Sequence, residues 1–145
     1  MKKFIKILFI VLITSISYSQ ELNKSVSTNK DLQVDDQIFV EIESAISDAD
    51  VAKISKYFGQ KTYFSFSNGI NGYYSSNQAF YVLEDFFKLY KVTSFKFDHI
   101  KNDKNNSYAT GKYYYDNKGK RSSAQVYMSI KKVGINWNIT QLTIN

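Results

Sequence analysis

SSNQAFYVLEDFFKLY, residues 75–90, opens with a serine three positions ahead of a glutamine. That pair reads as a capping box, in which the serine hydroxyl and the glutamine amide each satisfy a backbone N–H at a helix start. Behind it Ala79, Val82, Leu83, Phe86, Phe87 and Tyr90 recur at spacings of three and four, so a helix with one broad apolar face is expected. A face that wide needs a cover, and the residues downstream supply it. After Tyr90 the helical period stops. Residues 94–101, 107–116, 121–132 and 135–144 read as strands, joined at Asn102-Asp-Lys-Asn-Asn106, Asn117-Lys-Gly119 and Val133-Gly134. Joints this short make the four strands antiparallel neighbours.

Upstream, Ile38, Phe39, Ile42, Ala45, Ile46 and Ala49 keep a helical spacing from Asp35 onward. Asp50 is placed to cap a second, short helix through Val51, Ile54 and Phe58, with Gly59 as its stop. In QKTYFSFSN, residues 60–68, Thr62, Phe64 and Phe66 alternate against Tyr63, Ser65 and Ser67, which is a strand. The predicted fold class is α+β: two helices, a strand, the long helix, then a four-strand meander, in one domain over residues 35–145.

Parity then assigns the sheet faces. With Phe97 opposite Gly111 and a glycine bulge at Gly119, one face collects Phe95, Phe97, His99, Ala109, Gly111, Tyr113, Tyr115, Ala124, Val126, Met128 and Ile130. In the last strand Trp137 and Ile139 have one parity, Leu142 and Ile144 the other. A bulge at Thr140-Gln141 returns all four to one face and bends the strand. The opposite face collects Lys96, Asp98, Ile100, Tyr108, Thr110, Lys112, Tyr114, Gln125, Tyr127, Ser129 and Lys131; it is polar but contains three tyrosines, Tyr108, Tyr114 and Tyr127, flanked by Lys96, Lys112 and Lys131.

The N-terminus reads as an address. Lys2, Lys3 and Lys6 precede a continuous apolar run from Ile7 to Ile13, and Ser17-Tyr-Ser19 supplies small residues before Gln20. Residues 1–19 are therefore expected to be a secretory signal peptide and residues 20–34 a flexible lead-in. The expected product is exported, periplasmic or extracellular, with no membrane span after cleavage. Cleavage removes three lysines and no acid, which lowers the formal charge from +6 to +3. Arg121 is the single arginine, so bidentate phosphate or base recognition is poorly served and no nucleic-acid partner is expected. Of the 145 residues 43% are hydrophobic and 17% aromatic, too apolar for a disordered chain. With no Cys and one His, a Cys/His zinc site and a cysteine nucleophile are excluded. No metal or other cofactor is called for.

Several stretches resemble a family of uncharacterised secreted bacterial proteins. They are Ala45-Ile46 through Ser55-Lys-Tyr-Phe58, then Tyr74-Ser75-Ser-Asn-Gln78-Ala79 with Phe86-Phe87. Phe95 to His99, Tyr108-Ala-Thr-Gly111 and Ile139-Thr-Gln141-Leu142-Thr-Ile144 complete the set. The resemblance implies a nuclear-transport-factor-2-like cone, a curved, mostly antiparallel sheet with the N-terminal helices in its concave face. It brings no established activity with it. Catalytic members of that fold place Asp, His or Tyr in the cone, and the expected inner face here holds no carboxylate.

The inner-face candidates for contact with a small apolar ligand are His99, Tyr113, Tyr115 and Trp137. An alternative is a small lyase or isomerase in which His99 and Tyr113 transfer protons. A lone histidine is more often hydrogen-bonded structure than a base, which favours a non-enzymatic domain. Glu84-Asp85 lies off the apolar stripe and reads as solvated, and Asn68-Gly-Ile-Asn-Gly72 lacks the lysine of a phosphate-binding loop. On the outer face Tyr108, Tyr114 and Tyr127 are expected to stand together as an interface, for an envelope partner or a weak homodimer through the sheet.

Overall fold

The computed structural model describes residues 36–145, so the expected signal peptide and lead-in lie outside the described residues. Helix α1 occupies 36–47. It is followed by α2 (Val51–Ser55), β1 (Phe58–Phe66), β2 (Asn71–Tyr74), α3 (Ser76–Leu89), β3 (Val92–Lys101), β4 (Asn106–Asn117), β5 (Lys120–Val133) and β6 (Asn136–Ile144). The strands form one sheet in the order β2-β1-β6-β5-β4-β3. Every adjacent pair is antiparallel except β1 and β6, which run parallel. The α+β class and the curved sheet are as expected from the sequence.

The caps form as read. Gln78 N–H donates to the Ser75 hydroxyl, and Ser75 N–H donates to the Gln78 side-chain amide oxygen Oε1 at 3.0 Å. Lys53 N–H donates to Asp50 at 3.1 Å. The second helix is shorter than expected, because Phe58 and Gly59 open β1: Phe58 lies opposite Ile139, whose N–H donates to the Tyr57 carbonyl at 2.7 Å. Residues 71–74 form a hairpin strand where the sequence pattern indicated no element. The turn before it passes through Gly69 at φ +92°, a conformation that favours glycine.

Helices and sheet share one buried core. Phe39, Ile42 and Ile46 of α1, Ile54 of α2 and Leu83 and Phe86 of α3 meet Phe64, Tyr113, Met128, Ile130, Ile139 and Leu142. None of these side chains keeps appreciable exposure, and burying each contributes about 1.5–3 kcal/mol.

Register decides the rest. Phe95 lies opposite Tyr113, Phe97 opposite Gly111, Gly111 opposite Val126 and Tyr113 opposite Ala124, as parity indicated. The β4–β5 hairpin reaches that register through a two-residue turn, Lys118-Gly119 at φ +53° and +82°, and not through a glycine bulge. Positive φ at both central residues suits the right-handed twist of the flanking strands. In β6 the expected bulge is present: Ser129 pairs with Gln141 and Ile130 with Ile139, so Thr140 is the extra residue. Its hydroxyl lies 2.7 Å from that of Ser129.

A second bulge corrects the placement of His99. Phe97 pairs with Gly111 but His99 pairs with Thr110, so Asp98 is inserted and His99 turns to the outer face. Ile100, opposite Ala109, takes the inner position instead. The bulge adjoins Gly111. A Cβ there would sit 2.3 Å from the Lys96 carbonyl oxygen and 2.9 Å from Phe97 Cα. A bare glycine lets the β3 backbone close in, and one added residue reverses every side chain beyond it.

Candidate functional site: the outer sheet face

The inner-face candidates are committed to structure. Tyr113 is fully buried, and its hydroxyl donates to the carbonyl of Tyr90, the residue that ends α3. Burial pushes its phenol well above the ordinary value, so it stays neutral. Tyr115 is half-buried and meets the Tyr90 ring edge-on at 5.2 Å. Trp137 is buried opposite Lys132, whose ammonium lies 5.8 Å from the ring. Lys132 stands eight residues along β5 from Ala124, the partner of Tyr113, so roughly 25 Å separates Trp137 from Tyr113. The structure therefore does not gather the four residues into one place. His99 and Tyr113 lie on opposite faces of the sheet and do not meet for proton transfer.

The outer face is more orderly than parity alone indicated. Pairing across the strands aligns Tyr73, Tyr63, Gln141, Ser129, Tyr108 and Lys101 in a single row over all six strands. The next row is Asn71, Ser65, Thr143, Tyr127, Thr110 and His99. Beyond it Gln125, Lys112 and Lys96 align, then Ser123, Tyr114 and Ser94. These rows contain aromatic, hydroxyl, amide and cationic groups and no aliphatic side chain; the exposed bulge residue Asp98 lies beside them, and the next row is Asp116 opposite Arg121.

Of the three expected interface tyrosines, Tyr108 and Tyr127 meet, stacked with centroids 5.9 Å apart and the His99 ring 6.4 Å from Tyr108. Tyr114 stands apart, its ring covered by the Arg121 guanidinium at 4.5 Å. A second aromatic pair was not anticipated. Tyr63 and Tyr73 face each other across β1 and β2 at 5.1 Å, and the Tyr63 hydroxyl donates to Asn71 at 2.6 Å. Its sequence signal was the outward parity of Tyr63; what hid the pair was β2, whose residues resemble a loop. Lys61, Tyr63, Tyr73, Ser129, Thr140 and Gln141 line an open cleft of about 410 Å³. The Thr140 bulge forms part of it. A shallower depression of about 280 Å³ lies at Thr93, Asp116, Gly119 and Arg121.

Acids stand on both layers: Asp36, Glu41, Glu43, Glu84 and Asp85 on helices, Asp48 and Asp50 between α1 and α2, and Asp98, Asp103 and Asp116 on the strands and the β3–β4 turn. Among the described residues, the ion pairs join Glu41, Asp48, Asp50, Glu84 and Asp85 to Lys53, Lys56 and Lys88, all on the helical side. Lys96 and Lys112 face each other across β3 and β4 and make no ion pair among the described residues.

The match to known proteins agrees with this architecture. The family described as domain of unknown function DUF4783 matches residues 39–145. The chain belongs to that family. A DUF4783 family protein from Bacteroides uniformis ATCC 8492 superposes with a TM-score of 0.66 at 21% identity, covering 72% of this chain and 93% of that one. Another, from Bacteroides ovatus ATCC 8483, gives 0.65 at 24% identity, with coverage of 72% and 90%. The designed protein Rd1NTF2_04 with long sheet gives 0.61 at 16% identity, with coverage of 75% and 98%. These likenesses establish a DUF4783 domain with the nuclear-transport-factor-2-like fold that the sequence resembled. No curated protein matches the chain.

Proposed function

We propose that this DUF4783 protein is an exported, non-enzymatic binding domain that meets its partner through the outer sheet face rather than inside the cone. The observation that carries the reading is the cleft of about 410 Å³ set among Lys61, Tyr63, Tyr73, Ser129, Thr140 and Gln141, continuous with rows of hydrogen-bonding side chains. Binding sites pair apolar surface with a few directed polar groups, and tyrosine combines the two. The inner face supports the cone reading less well, because Tyr113 and its neighbours are spent on the core and on the end of α3. Export rests on the charged, apolar and small-residue pattern of residues 1–19.

The test is a screen of chemically varied compounds, sugars and short polymers included, read by amide chemical shifts of the isotopically labelled protein. The expected result is that binders perturb Tyr63, Ser129, Tyr127 and Gln141. Perturbations confined to Tyr113, Phe86 and Ile139 would move the site into the cone and overturn the proposal.

A further inference from the structure

Resting on that reading of the outer face, we infer that its occupant is an acidic polysaccharide lying across the strands. Three observations converge on this chemistry. The first is shape. The row Tyr73, Tyr63, Gln141, Ser129, Tyr108 and Lys101 crosses all six strands, a span of roughly 24 Å at the usual strand spacing. The cleft opens at one end of that row, so the surface suits an extended chain better than one small compound.

The second is the kind of contact on offer. Tyrosine rings stand towards both ends of the row, with an amide and a hydroxyl between them. A pyranose ring presents a C–H face that lies flat on an aromatic face, and a rim of hydroxyls that reaches amides and hydroxyls beside it. The rows carry no aliphatic side chain, so they offer nothing for insertion into lipid and little of the apolar centre that a protein partner needs.

The third is charge. Lys96 directly opposite Lys112 is an unfavourable cross-strand pair by itself, and the exposed Asp98 nearby makes no ion pair with either lysine among the described residues. Lys61 lines the cleft and Lys101 ends the long row. A polymer carrying carboxylates along its length relieves that repulsion while its rings stack on the tyrosines.

Polygalacturonate, a uniform polymer of uronic acid, is the probe, and dextran is the neutral control. Affinity electrophoresis of the full chain through gels containing each polymer reads the binding. Retardation in polygalacturonate at least about tenfold stronger than in dextran is expected, about 1.4 kcal/mol by the affinity relation. Tyr63→Ala and Tyr108→Ala should each weaken it by about tenfold while leaving its salt dependence intact. The double variant Lys96→Gln/Lys112→Gln should weaken binding and flatten its salt dependence, since fewer counterions are released. Lys53→Gln/Lys88→Gln removes the same number of charges on the helical side and should leave retardation as it was. All six positions are exposed or half-buried, and unchanged melting temperatures confirm that the variants fold.

Equal retardation by the two polymers, or none in either, overturns the inference. So does sedimentation with phosphatidylglycerol vesicles in the absence of polygalacturonate binding. If the shift-mapping screen places its binders on the outer face while polygalacturonate fails, the ligand class falls and the site stands. Polygalacturonate shifts confined to the cone would remove both.

Discussion

Replacing Gly111 by alanine tests the contact beside the bulge that turns His99 outward. The added Cβ would lie 2.3 Å from the Lys96 carbonyl oxygen and 2.9 Å from Phe97 Cα, both backbone atoms that cannot rotate away. Relief requires β3 to withdraw from β4 by about 1 Å, judged against ordinary carbon contact distances. Overpacking of this kind costs about 1–3 kcal/mol. Loosening one or two ladder hydrogen bonds beside the bulge adds about 1 kcal/mol each. Against this, alanine restricts the unfolded chain and returns up to about 1 kcal/mol. The net expectation is a loss of about 3 kcal/mol, or a melting temperature lower by about 10 °C for a domain of this length. Urea unfolding followed by circular dichroism measures it, with Thr110→Ala at the half-buried neighbour as a control expected to change little. A loss below about 1 kcal/mol for Gly111→Ala would refute the close-approach argument.

Tyr113→Phe removes the hydrogen bond to the Tyr90 carbonyl and should cost about 1–2 kcal/mol. Because burial raises the Tyr113 pKa in the folded state, its stabilising contribution is complete below the ordinary tyrosine value of about 10 and is lost as pH rises towards the folded value. Stability measured from pH 9 to 11 should therefore fall more steeply in the parent than in Tyr113→Phe, and identical slopes would show that Tyr113 is not shielded. At the sheet edge, Phe97 N–H donates to Glu43 at 2.7 Å and the Ser47 hydroxyl donates to the Phe95 carbonyl, so α1 occupies the free side of β3. Glu43→Ala with Ser47→Ala should lower stability by about 1–3 kcal/mol and raise light scattering as that edge becomes available for pairing; a monodisperse, equally stable double variant contradicts this. Ser75→Ala should cost about 1 kcal/mol through loss of the capping box, and an unmoved urea midpoint would show that the cap contributes nothing.

Periodicity and turn chemistry carry local information, and they determined the local parts of this protein. The capping box at Ser75, the apolar stripe of α3, the inward parity of Phe64, Phe95 and Tyr113, and the bulge at Thr140 were all legible. Each depends on neighbours a few residues away or on a break in alternation within one strand. The outward parity of Tyr108, Tyr114 and Tyr127 was legible for the same reason. Long-range pairing was not. β1 runs parallel to β6, its partner from the far end of the chain, and no turn announces such a pair. β2 is four residues of a hairpin whose strand signal is too short to stand out from a glycine-rich loop. The bulge at Asp98 leaves the alternation of Phe95 and Phe97 intact and reverses only the residues C-terminal to it, so parity carried His99 to the wrong face. The bulge adjoins the close approach of the β3 backbone to Gly111, a contact between strands that alternation within either one does not encode. The row from Tyr73 to Lys101 has the same origin. Each residue in it was visible in the sequence, but alignment across six strands is a property of register, and register is set by packing between elements.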